Sequence, residues 1–287
     1  MALQESFTED AQDLPFTVAP LTPGIGAELL DIDLSADLPD STIAAIKDQL
    51  LRWKVVFFRD QEISRAQHIA FARRFGALEI HPTTPKDQPD PEVLRIVHDE
   101  NSKGRENAWH SDVTWRPEPS LGSILRAIEV PEVGGDTLFA DMGAAYEGLS
   151  DEMKRFVSGL TAEHDFMRVF GDRIPEDKRD EVRARYPVET HPVVRTHPET
   201  GEHALYVNIG FTTKINGLAP EESDWLLNHL WKQAHLPERQ CRFRWQKNSI
   251  AFWDNRSAQH YAASDYWPAR REMERVTIAG DRPFYQP

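Results

Sequence analysis

The chain has 287 residues, 40% of them apolar, and a formal charge of −14 from 33 basic and 47 acidic side chains. Length and apolar content suffice for a substantial core, while the acidity disfavours nucleic acid and anionic membrane surfaces as partners. A single cysteine, Cys241, excludes an intramolecular disulfide and fits a reducing compartment.

The N-terminal stretch MALQESFTEDAQDL carries neither the basic nor the apolar region of a secretion signal, so a cytoplasmic location is expected. Residues 1–14 read as a mobile tail and 15–287 as a single domain, because no repeat or linker divides the rest. Leu30-Asp31-Ile32-Asp33-Leu34 alternates like a half-buried strand with a wet face. Asp40-Ser41 opens a predicted helix with Ile43, Ile46, Leu50 and Trp53 on its apolar side. Lys54–Arg59 reads as a buried strand, and Ser64 with Gln67 forms a capping box for a second helix that stops at Gly76. His81–Pro91, with four prolines, resists regular structure.

From Val93 onward the pattern becomes short strands: Val93–His98, Ser123–Val130, Thr137–Ala140, Ala204–Asn208, Cys241–Trp245, Ser249–Trp253 and Arg275–Gly280. Helices are predicted at Met142–Leu149, Asp151–Leu160 and Pro220–Gln233, the last with proline in its first turn. The charged stretch Asp165–Arg185, broken at Phe170-Gly171, is a second irregular region and, with His81–Pro91, a candidate lid. Strands that do not alternate regularly with helices favour a mainly β sandwich or barrel with flanking helices over a doubly wound sheet.

The chemistry concentrates in two segments. Trp109-His110-Ser111-Asp112 places an imidazole and a carboxylate at i and i+2, on one side of the chain if the segment is extended. The second, WDNRSAQH, ends on His260. Two histidines and one carboxylate are the ligand set of a non-haem Fe(II) site with one face left open. Arg271 and Arg275 follow closely; an arginine fork beside such a metal suits a dicarboxylate that chelates at one end and is clamped at the other, which describes 2-oxoglutarate. The competing reading of both arginines is a surface ion pair with Asp265, Glu272 or Glu274. The same three ligands would also serve a zinc hydrolase, whereas an inert jelly-roll binding protein would be expected to have lost one of them.

These motifs, together with GGDTLF (Gly134–Phe139), AEHDF (Ala162–Phe166), HPVVRTHPETG (His191–Gly201) and RVTIAGDRPF (Arg275–Phe284), occur in an order that resembles the taurine/2,4-dichlorophenoxyacetate dioxygenase family. The taurine dioxygenase branch is the most similar, from about Phe16 to Phe284. The resemblance implies a double-stranded β-helix, the cupin-like jelly roll. It also implies Fe(II) on His110, Asp112 and His260, with 2-oxoglutarate and O2 as cosubstrates. Thr137 and Arg271 would hold the distal carboxylate of 2-oxoglutarate, while His81, Phe170, Phe211 and Arg275 would surround the primary substrate. That substrate would be a small anion, taurine or a related alkylsulfonate, hydroxylated to release sulfite and an aldehyde alongside succinate and CO2. Relatives form dimers or tetramers, so a homo-oligomer is expected.

The chain departs from taurine enzymes at three pocket positions: Thr84 stands for a tyrosine, Val169 for a serine, and Glu106 or Asn107 for an asparagine. Such a pocket is less polar, so a longer sulfonate, an alkyl sulfate ester or an aryloxyalkanoate is an alternative substrate. His191 and His197 read as structural rather than as a second metal pair. Trp109, Trp115 and Trp253 read as core packing beside the motifs.

Overall fold

The computed structural model describes residues 14–81, 84, 87–104 and 107–287. Residues 1–13, Pro82, Pro85 and Glu106, on which expectations were placed, lie outside them. The fold is mainly β with flanking helices. Its large sheet has eight strands. Across it run Thr17–Pro20, Ala27–Leu30, Val55–Phe58, Ile250–Asp254, Gly122–Glu129, Arg271–Ile278 and Leu78–Glu79, with Val93–His98 also paired to Arg271–Ile278. A second sheet places Thr137–Asp141 between Gln240–Phe243 and Ala258–Ala262. Thr161–His164 is flanked by Thr212–Ile215 and Glu189–Pro192, and Val194–Thr196 pairs with His203–Leu205.

The strand Val55–Phe58 shows how the layers are held. All four residues are buried, and alternate side chains leave a strand on opposite faces. Val55 and Phe57 enter the core between the two sheets with Phe139, Cys241, Phe243, Trp253 and Met273. Phe57 stacks on Phe243 at a centroid distance of 4.0 Å. Val56 and Phe58 point the other way, into a core shared with Ile46, Leu50, Ile69 and Phe71 of the two covering helices. A strand buried on both faces reads as an unbroken apolar run, which is why VVFF lacks polar alternation.

The helix Asp40–Trp53 buries Ile43, Ile46, Leu50 and Trp53 as its spacing predicts, and ends where Lys54 turns left-handed at φ 63°. Arg65–Arg73 carries the predicted capping box: the Gln67 N–H donates to Ser64 Oγ while Gln67 Oε1 accepts from the Ser64 N–H. Cys241 lies on Gln240–Phe243, and burial pushes its thiol up to about 12, consistent with a packing role. None of the helices among the described residues is long and apolar enough to cross a membrane.

Three expectations need correction. Asp31 and Asp33 are not on a strand: Ala27–Leu30 ends first, Asp31 turns at φ 63°, and Asp33 Oδ1 accepts from the Ser35 N–H. That hydrogen bond is a side-chain turn, which short acids favour over a ladder. The stretch 165–185 is not irregular but folds into the helices Met167–Phe170 and Arg179–Arg185 with 3₁₀ turns between them. The last strand begins at Arg271, four residues before Arg275, because Val93–His98 supplies a partner that local pattern does not reveal.

Truncating Phe57 to alanine removes contacts to both Phe139 and Phe243. The expected loss is about 3–5 kcal/mol in urea unfolding, against roughly 0.5 kcal/mol or less for Phe156→Ala at an exposed position.

Candidate active site

His110 and His260 are joined by the backbone. The His110 N–H donates to His260 O at 3.1 Å and the His260 N–H to His110 O at 2.8 Å. This reciprocal pair extends the sheet in which His260 already faces Phe139. Cross-strand partners project to one side, so the two imidazole centroids lie 4.2 Å apart. Of the His-x-Asp pair, His110 lies on the ladder and Asp112 does not. The chain turns at once, Val113 has φ 49°, and Asp112 reaches the same point from that turn rather than from the extended segment its spacing suggests. Ser111 points away, its Oγ donating to Ala258 O.

One ligand atom from each of His110, Asp112 and His260 lies within 4.8 Å of the others, the one such group of metal-binding side chains among the described residues. Asn255 fixes the turn: its Oδ1 accepts from the Asp112 N–H at 2.6 Å and its Nδ2 donates to Asp112 O at 2.9 Å. His110 Nδ1 lies 2.7 Å from Ala108 O. A carbonyl can only accept, so Nδ1 carries the proton and Nε2 keeps a lone pair for a metal.

Burial lowers His260 to about 3, with His110 adding to the effect, so its imidazole is neutral at ordinary pH. Burial alone would raise Asp112, but the Arg275 guanidinium and the neighbouring imidazoles outweigh it and hold the carboxyl well below the usual carboxylate range. A neutral imidazole at His260 and an ionised carboxylate at Asp112 are the protonation states that metal binding requires.

Both arginines project inward. Arg271, Met273 and Arg275 alternate along one strand with Met273 in the inter-sheet core, and both arginines line cavities beside the histidines. For Glu272 and Glu274 the surface-ion-pair reading does not hold, because the pleat sends both to the opposite face, where Glu272 meets Arg95 and Arg270 and Glu274 meets Arg65. A narrow cavity runs between His110, His260, Thr137, Trp253, Tyr266 and Arg271. A second, of about 360 Å³, shares His110 and Arg275 with it, and His81, Val113, Trp115, Phe170 and Phe211 contribute to its wall.

Comparison with known proteins agrees with this arrangement. Residues 17–277 match the model of the family described as taurine catabolism dioxygenase TauD, TfdA family. The chain belongs to this family. An alkylsulfatase of Acinetobacter baylyi is 37% identical over 91% of this chain and 84% of its own. An alpha-ketoglutarate-dependent sulfate ester dioxygenase of Pseudomonas putida is 36% identical over 94% of this chain and 91% of its own. The crystal structure of a taurine dioxygenase from Burkholderia xenovorans superposes with a TM-score of 0.81 at 40% identity, covering 93% of this chain and 90% of that one. The TauD/TfdA chain described here is thus a 2-oxoglutarate-dependent dioxygenase that uses Fe(II) and O2.

The donor set fits the metal this family uses. Besides the prepared Nε2 of His110, His260 Nδ1 is buried with no hydrogen-bond partner among the described residues. His191 and His197 are structural, as expected: His197 Nε2 bonds Asp254 Oδ2 at 3.0 Å and His191 Nε2 bonds Arg116 O at 2.9 Å. Trp109, Trp115 and Trp253 are all buried in hydrophobic clusters, as expected, and Trp115 also lines the larger cavity and Trp253 the narrow one. Thr84 is buried and Val169 lies on the cavity wall.

Sequence reading missed Asn255, although it sits inside the quoted WDNR motif; nothing local ties it to Asp112. It also missed Leu94, Ile96 and His98, which line the cavities from the strand Val93–His98. Their spacing of two was visible, but not which face would look inward. Asn255→Ala leaves the three ligands in place but frees the Asp112 turn. We expect Mn(II) affinity, followed by chelator competition, to fall about 10- to 100-fold.

Proposed function

We propose that this dioxygenase hydroxylates the carbon next to the ester oxygen of an alkyl sulfate, and that the product collapses to an aldehyde and sulfate while 2-oxoglutarate becomes succinate and CO2. The observation that carries this reading is the composition of the larger cavity. Leu94, Ile96, Val97, Val113, Val169, Phe170 and Phe211 give it apolar walls, Arg275, Arg95, Arg173 and His81 add cationic and polar groups, and Asp112 is the one carboxylate among its described lining residues. Its volume of about 360 Å³ lies in the ~300–1,000 Å³ range of small-molecule sites. Among the described lining residues a taurine ammonium would meet no carboxylate apart from a metal ligand, whereas an alkyl chain finds a matching wall. The names of two relatives, an alkylsulfatase and a sulfate ester dioxygenase, point the same way.

The reading gives each residue a task. His110, Asp112 and His260 would hold Fe(II), which when bound supplies the oxidising chemistry with 2-oxoglutarate and O2. Arg271, 5% exposed and set against the rings of Trp245 and Tyr266, would clamp the distal carboxylate of 2-oxoglutarate. Thr137 shares that cavity, its Oγ1 accepting from Trp245 Nε1 at 2.9 Å. Arg275 and His81 would receive the sulfate. Phe170 and Phe211, in the aromatic cluster with Trp115, Phe166 and Tyr186, would cover the chain and exclude water. The placement of the last strand between Gly122–Glu129 and Val93–His98, facing the smaller sheet, accords with the jelly-roll arrangement that the resemblance implies.

The test supplies Fe(II), 2-oxoglutarate and O2 with hexyl sulfate, hexanesulfonate, taurine or phenoxyacetate, and measures succinate, sulfate and sulfite. Hexyl sulfate should give succinate and sulfate in equal amounts, with kcat/KM at least about tenfold above taurine, a difference of about 1.4 kcal/mol. Sulfite matching succinate with taurine as the preferred substrate would refute the proposal. Arg271→Gln should weaken 2-oxoglutarate binding about 100-fold, since stripping one partner from a buried charge pair costs about 3 kcal/mol. An unchanged dissociation constant would remove Arg271 from that role.

A further inference from the structure

We propose that Arg275 is shared between Asp112 and the substrate anion, so that substrate binding tightens the metal and metal binding tightens the substrate. The inference rests on the reading of Arg275 as the partner of the substrate's anionic group and adds a coupling to it. Arg275 Nη1 donates to both oxygens of the Asp112 carboxylate, at 2.9 Å and 3.0 Å. Ser123 Oγ lies 3.3 Å from the second of these oxygens. The carboxylate cannot retreat far, because Asn255 holds both the N–H and the C=O of Asp112. A metal ion bound by Asp112 must therefore take an oxygen that the guanidinium already uses.

The same guanidinium faces substrate space. Arg275 lines the larger cavity with His81, Phe170 and Phe211, and also the narrow one with Arg271. A sulfate or sulfonate offers several oxygens to a planar fork that matches such anions well. Two competitions then run in series: the anion competes with Asp112 for Arg275, and Arg275 competes with the metal for Asp112. Drawing Arg275 toward the anion releases carboxylate charge to the metal, and reciprocity requires the metal to return the same factor to the anion. The metal is then held most firmly when a substrate is in place. If Arg275 merely braced Asp112 for coordination, the sign would be reversed and its removal would loosen the metal.

Mn(II) affinity of the full chain decides between these, measured by competition with a chromophoric chelator at constant pH, with and without saturating hexyl sulfate. In the unmodified protein hexyl sulfate should lower the Mn(II) dissociation constant about fivefold or more. Arg275→Met should bind Mn(II) more tightly than the unmodified protein when hexyl sulfate is absent, and should not respond to it. Arg275→Gln provides the same comparison if the Met variant does not fold, and the first arm needs no variant.

Weaker Mn(II) binding by either variant would overturn the proposal. So would hexyl sulfate that binds by calorimetry yet leaves Mn(II) affinity unchanged. If calorimetry detects no hexyl sulfate binding at all, the substrate reading fails instead. The variants' Mn(II) affinity then still decides the shared carboxylate, tighter binding supporting it and weaker binding overturning it.

Discussion

A buried carboxylate organises this molecule. Asp112 is 6% exposed, and a charge taken out of water is tolerated only when paired and hydrogen-bonded. Its partners come from three distant parts of the chain: Arg275 from the last strand, Asn255 from the turn after Ile250–Asp254, and Ser123 from Gly122–Glu129. Each sits on the large sheet or beside it, so assembling that sheet also assembles the charge compensation. The ladder bond between His110 and His260 then closes the group from the smaller sheet.

The two-faced strands make this possible. Because Val55–Phe58 and Ile250–Asp254 are apolar on both sides, the large sheet is covered by helices on one face and by the smaller sheet on the other. Arg271 and Arg275 are largely buried in the layer between the two sheets. In such a layer a guanidinium interacts with an anion far more strongly than it would at the surface, which is what the proposed binding of anions by an enzyme with a net charge of −14 relies on. The acidic side chains of the same strand, Glu272 and Glu274, are spent on outer arginines and do not cancel the inner ones.

The larger cavity lies where regular structure gives way. Phe170 and Arg173 reach it from the short helical segment after Thr161–His164, and Phe211 from the approach to Thr212–Ile215. An aromatic cluster joins these segments to Trp115. Under the proposed function, substrate choice would fall to these connecting segments together with Arg275 and the strand Val93–His98, while the metal ligands and Arg271 are tied to strands or to turns braced by them. This division suits a scaffold that keeps one chemistry and varies what it oxidises.

Local physics was enough for much of the architecture. The capping box of Ser64 and Gln67, the apolar spacing from Ile43 to Trp53 and the run Val93–His98 each depend on neighbours in sequence, and each appears where its pattern places it. The ligand set was legible because His, Asp and His are chemically restricted types inside distinctive segments. What the sequence could not determine was every relation set by pairing across the sheets. The inward turn of Arg271 and Arg275, the clamp of Asn255 on Asp112, and the short helices within 165–185 follow from partners far along the chain. Alternation fixes that successive side chains point opposite ways, but only the assembled layers decide which of the two faces is dry.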